Sequence, residues 1–387
     1  MRLFILTAGD RFMKKATLVL GLLAASVSAA YAQSSVTLYG IADGGVRMTT
    51  NEGVSGSGSI TRVVGGGFSQ SRLGVNVTED LGGGMKVLAN LEHRLNLDTG
   101  SANPAPLPFW MQSWVGLQSS DFGRVTIGRQ YNVLFDLVTS TYVSYPYSPY
   151  FDVYKPEVGL ALSARADNMV KYLFEQGPIR GELQFSAGEG GGGRTFGGVL
   201  RYSADGISAG VGAQDYRLPS GAKIKATTFG GSYKMGEWYL NAGWGENKVE
   251  GTPTAADGAT VASTLLWASF NNGGTGYDAA MGGNAALLGL KKRTMWTLGM
   301  GYQMSPQLNL GTHFYSAKQT GAVSALELKA TFWSAVADYA LSKRTDLYAE
   351  IDRTSLKGDH ASLNSSAGTP NNAKSRMGYT VGIRHRF

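Results

Sequence analysis

Cysteine is absent from this 387-residue sequence, and only 4 histidines occur. Without cysteine the chain can build neither a disulfide scaffold nor a thiolate nucleophile or metal centre. His93, His313, His360 and His385 are scattered, without metal-ligand spacing, so no metal or other cofactor is expected. Long apolar runs are missing as well. Beyond residue 33 no stretch reaches the roughly 18 apolar residues of a membrane-spanning helix. Nor is there a strong excess of one charge. The formal net charge is +7, and setting residues 1–32 aside leaves 31 basic against 27 acidic residues, a net +4. That balance is too mild for a nucleic-acid-binding surface, so no nucleic-acid partner is expected.

One apolar stretch does occur early. From Met13 the chain reads "MKKATLVLGLLAASVSAAYAQ", with Lys14 and Lys15, an apolar core and Ala30-Tyr31-Ala32 as a small-residue cleavage signal. This is the pattern of a cleaved secretory signal peptide. Residues 1–32 are therefore expected to be a leader, with 1–12 an upstream extension, Met13 the true start and 33–387 the mature domain.

What remains is rich in glycine, 54 residues, and in period-two alternation. "VTLYGIAD" sets Val36, Leu38, Gly40 and Ala42 against Thr37, Tyr39, Ile41 and Asp43. "SRLGVNVTED" sets Leu73, Val75 and Val77 against Arg72, Asn76 and Thr78. "MKVLANLEHRL" sets Met85, Val87, Ala89 and Leu91 against Lys86, Asn90, Glu92 and Arg94. Such alternation makes strands with one apolar and one polar face. Short turns such as "DLGGG", "SSDFG" and "LSKRT" alternate with long connections at 48–67, 132–167, 248–289 and 355–374. Short turns at one end and long loops at the other fit a barrel in an outer membrane, with apolar residues outward and polar residues in the lumen. About 16 strands fit the pattern, enough to enclose water. Asp43, Lys86, Glu92 and Arg94 then face the lumen. Trp238 and Trp244, Trp296 and Tyr302, and Trp333 and Tyr339 each share one face six residues apart, as rings at the two membrane interfaces would.

Six segments in order carry a family likeness: "SSVTLYGIADGGV", "SRLGVNVTEDLGGGMKVLANLE", "WVGLQSSDFGRVTIGRQYNVLFD", "DNMVKY", "YALSKRTDLYAE" and the terminal "GYTVGIRHRF". Together they resemble the general porins of Gram-negative outer membranes over most of residues 34–387. The resemblance implies an all-β fold, a 16-stranded antiparallel transmembrane β-barrel with an inward-folded third external loop. It also implies a homotrimer of such barrels in the cell outer membrane, in contact with membrane lipids and lipopolysaccharide. Tyr379 and Phe387 on the last strand would form the signal read by the barrel assembly machinery. The function implied is a water-filled channel for passive diffusion of ions and small hydrophilic solutes.

In that family a wall of arginines faces acids on the inserted loop. Here the resemblance places Arg72, which parity also turns to the lumen, and Arg165 on the constriction wall, Lys171 joins them by sharing the parity of Arg165, and the loop at 132–167 supplies Asp136, Tyr142, Tyr145, Tyr147, Tyr150, Asp152 and Glu157. The chain departs from the pattern at Met111, where a wall arginine is common, and in a loop tip with few carboxylates. A modest anion preference follows. The tyrosines of "YVSYPYSPYF" offer the alternative of a channel selective for sugars or aromatic acids. Arg129 shares the outward parity of Val125 and Ile127 and is read as structural, at a rim or subunit interface.

Other signals fade on inspection. "DTG" at 98–100 has no second copy to form a carboxylate dyad. "GEGGGG" at 188–193 matches G-x-G-x-x-G outside any βαβ unit. No nucleophile constellation suggests an enzyme, and a non-conducting structural or adhesive barrel would usually be smaller or plugged.

Overall fold

A computed structural model describes residues 34–53, 55–102, 109–143, 159–189, 193–257, 289–359, 363 and 371–387. Seventeen strands run in chain order: β1 (Ser35–Thr50), β2 (Ser59–Gly65), β3 (Arg72–Gly82), β4 (Met85–Arg94), β5 (Trp110–Ser119), β6 (Gly123–Tyr131), β7 (Arg165–Gln176), β8 (Ile179–Ser186), β9 (Arg194–Ala204), β10 (Ile207–Arg217), β11 (Lys223–Met235), β12 (Trp238–Glu250), β13 (Leu290–Gln303), β14 (Leu308–Gly321), β15 (Leu328–Ala340), β16 (Thr345–Lys357) and β17 (Ser375–Arg386). A helix, α1 (Val133–Thr141), follows β6. Each strand pairs antiparallel with the next in sequence, except that β2 and β3 both pair with β1 rather than with each other. β17 returns to β1 in the register Asp43↔Arg384, so the sheet closes. β2 and β3 both pair with β1 and form one broken stave, giving a barrel of sixteen staves.

The alternation sets polarity opposite to that of a soluble core. Val36 and Phe196 are 73% and 62% exposed, whereas Asp43 and Arg384 are 0% exposed. Apolar residues thus face outward as a belt and charged residues face the lumen. Short turns close one end; in "ADG", Asp205 and Gly206 take φ of +51° and +78°, the two left-handed residues of a type I′ hairpin. Trp238 lies against Tyr302, with ring centroids 4.5 Å apart, at that short-turn end.

Strand positions follow the periodicity closely, with two corrections. Half of the connection expected at 48–67 is ladder, because β1 continues to Thr50 and β2 spans Ser59–Gly65. The strand expected over 68–79 begins only at Arg72, since residues 66–71 leave the ladder. Arg129 and the exposed Asp167 form an ion pair beside the β6–β7 bulge, which relieves the cost of an outward charge.

Candidate functional site

The lumen is shaped first by α1. Asn132 caps it by accepting from Phe135 N–H at 2.8 Å, worth about 1 kcal/mol. Val133, Leu134, Leu137 and Val138 are fully buried, about 2 kcal/mol each as an upper estimate. Their partners are inward-facing residues of β8 to β11. Wall glycines make the approach possible. A Cβ at Gly210 or Gly212 would come within 3.0 Å of Leu137 or Leu134, and one at Gly230 or Gly243 would strike the Tyr142 ring. Tyr142 is 0% exposed, and its hydroxyl bonds to Thr228 Oγ1 on β11. It pins the end of α1 to the wall and offers no surface to a solute.

Charge organises the rest. Arg72 on β3, Arg94 on β4 and Arg165 at the start of β7 gather around Glu92, at 3.5, 3.5 and 3.8 Å. Tyr131 accepts from both Arg94 and Arg165 at 2.9 Å, and the Arg165 guanidinium lies 4.4 Å from the centre of its ring. Tyr39 donates to Glu92 at 3.2 Å, so that carboxylate is fixed in place. Three cations share one anion, leaving a net positive cluster whose guanidiniums are preorganised for carboxylate or phosphate oxygens.

Lys171 stands apart from this cluster. Its ammonium donates to Asp136 Oδ2 at 2.5 Å and to the Tyr131 carbonyl at 3.0 Å, with Glu182 at 3.9 Å. It ties the first turn of α1 to β7, and it neutralises the one described acid of α1. The parity that linked Lys171 to Arg165 is broken by a bulge at 167–168, where Asn168 takes φ of +53°. Asp43, Lys86, Glu92 and Arg94 share the lumen face of their strands. Tyr379 is outward and exposed, and Phe387 pairs with Gly40 through its backbone at 2.9 and 3.1 Å. Tyr145, Tyr147, Tyr150, Asp152 and Glu157 lie outside the described residues.

Beside Lys86, parity alone points to two further lumen charges, Arg124 and Arg201. Lys86, Arg124 and Arg201 face inward on β4, β6 and β9, and no ion pair to any of them occurs among the described residues. On the wall of β15, β16, β17 and β1 cations are instead matched: Arg47 with Asp352 at 2.6 Å, and Arg384 and Arg386 with Asp346 at 2.5 and 2.9 Å. The free positive charge of the lumen is therefore concentrated on β3 to β9.

Comparison with known proteins places this architecture. A family model described as Gram-negative porin matches residues 16–359. The chain is 29% identical to an outer membrane porin protein of Bordetella pertussis over 97% of its own length and 100% of the relative's. It is also 29% identical to outer membrane porin protein 32 of Delftia acidovorans, with the same coverage. Its fold superposes on the anion-selective porin from Comamonas acidovorans with a TM-score of 0.69 at 24% identity, covering 92% of this chain and 100% of that one. The trimer form of OmpT of Vibrio cholerae gives 0.65 at 13% identity, covering 92% and 99%.

Proposed function

Because the chain belongs to the Gram-negative porin family, we propose that its outer-membrane channel passes small hydrophilic solutes with a preference for anions, at a constriction between α1 and the Arg72, Arg94 and Arg165 wall. The observation that carries this reading is the sharing of Glu92 by three arginines while Lys171 neutralises Asp136. A permeating anion meets three guanidiniums that share one carboxylate, whereas among the described residues the acid of α1, Asp136, is already held by Lys171. Lys86, Arg124 and Arg201 extend the positive potential toward the short-turn end, which in such barrels is periplasmic.

The channel assembles as a homotrimer after export and cleavage near Gln33. It contacts lipid and lipopolysaccharide and is inserted by the barrel assembly machinery through its last strand. The trimeric form of a relative of the same fold supports the assembly. Selection of sugars or aromatic acids by the loop tyrosines would have to be carried by Tyr145, Tyr147 and Tyr150, since Tyr142 is spent on docking the loop.

The test is the zero-current potential in a salt gradient. Arg72→Gln and Arg165→Gln, singly and together, are expected to lower the anion-to-cation permeability ratio, by about twofold each. Unchanged ratios in correctly assembled variants would contradict the assignment of the constriction wall.

A further inference from the structure

The break between β2 and β3 has a definite shape. Gly44 of β1 pairs with Gly65 and Ile41 pairs with Arg72. Ala42 and Asp43 therefore stand opposite six residues, 66–71, four more than a plain antiparallel ladder requires. The surplus turns inward, because its partners are lumen-facing. The Asp43 carboxylate accepts from Phe68 N–H at 3.1 Å and Ser69 N–H at 2.5 Å, and the Asp43 carbonyl accepts from Gly66 N–H at 2.8 Å. The Phe68 ring crosses the inner face of β1. It stacks on Tyr348 of β16 at 5.1 Å and lies 4.4 Å from the guanidinium of Arg384 on β17. Tyr348 donates to Asp43 at 2.6 Å, and Arg384 donates to Ser69 Oγ at 2.8 Å.

Its position on the wall gives this insert a role. In a closed ring of sixteen staves, the stave farthest from the first is the ninth, β10. That is where Leu134 and Leu137 of α1 dock on Gly210 and Gly212. Asp43 is the ninth of 16 residues in β1, and Gly210 and Gly212 are the fourth and sixth of 11 in β10, so both inserts attach to the interior of their strands and not to a rim. We propose that segment 66–71 is a second jaw of the constriction, facing α1 across the lumen, and that it limits the size of permeating solutes from the side opposite the helix. Phe68 is its anchor, and the half-buried Ser69 is the part of it that lines the water path. Asp43 acts as a positioning residue that holds the jaw shut.

The inference rests on the channel reading, and two variants test it. Deleting 67–70 removes the surplus and keeps the parity of β3, so the second stave can run as one ladder. Single-channel conductance is expected to rise about 1.5-fold, with a larger gain for trisaccharide than for monosaccharide entry into liposomes. In the cysteine-free parent, Ser69→Cys is expected to react with a small charged methanethiosulfonate reagent, each reaction lowering the open current in a discrete step. Unaltered conductance and sugar selectivity in assembled deletion trimers would overturn the proposal. So would a Ser69→Cys protein that resists labelling or whose current ignores it, and this readout decides the matter if the deletion prevents assembly. A parent that conducts while these variants behave like it would defeat the second jaw alone, whereas a parent that does not conduct would defeat the channel itself.

Discussion

Tyr142 illustrates how residue type and residue role separate. A tyrosine in a proline-rich loop reads as a ring for solutes, yet this one fills a slot left by Gly230 and Gly243 and bonds to Thr228. The slot was invisible in the sequence because it depends on glycines about 90 to 100 residues away, brought opposite by barrel closure. Tyr142→Ala should remove several kcal/mol from loop docking, about 3 to 5 by analogy with buried aromatic truncation. The expected readout is a noisier and larger single-channel current with unchanged trimer yield. Lys171 and Asp136 give a paired expectation. Asp136→Asn removes an acid and should raise anion preference, while Lys171→Gln exposes that acid and should lower it. Shifts of the same sign in zero-current potential would contradict the tether. Arg72 was legible from parity and from its motif, whereas Arg47 and Arg384 were legible from parity alone.

At the scale of elements, strands could be read because outward residues meet lipid and inward residues meet water, so each stave alternates strictly. The alternation fails where the chain leaves the ladder. In "GGGFSQS" no periodic signal distinguishes a strand start from an inward insert, and only the pairing of Asp43 with Phe68 and Ser69 does so. Likewise the bulge at 167–168 interrupts β7 between Arg165 and Lys171, a break that leaves no mark in the sequence alternation, although both side chains reach lumen carboxylates. α1 is an element of the lumen more than of the sheet, and its seat is glycine. Gly243→Val should bar Tyr142 from its slot while leaving β12 paired, because valine suits a strand. Loosened docking should appear as faster proteolysis within 132–164 in folded trimers; protease resistance equal to the parent's would argue against the glycine seat.

For the whole molecule, the inverted polarity and the closed ring of staves account for an outer-membrane channel, and the uneven placement of lumen charge is the basis of the anion preference proposed for it. Cations on β15, β16, β17 and β1 are held in close ion pairs, as Lys171 and Arg180 are on β7 and β8, whereas Arg72, Arg94 and Arg165 share Glu92 three to one and Lys86, Arg124 and Arg201 have no ion pair among the described residues. Buried pairs of the first kind fix the wall and contribute little net field. The second kind acts on passing ions, and its influence should fade as salt rises and screening shortens. A planar-bilayer record of the purified protein under a potassium chloride gradient tests this most directly. The account predicts insertion in three equal conductance steps and a zero-current potential of the sign set by chloride, approaching zero selectivity at molar salt. A potential of the sign set by potassium would contradict it.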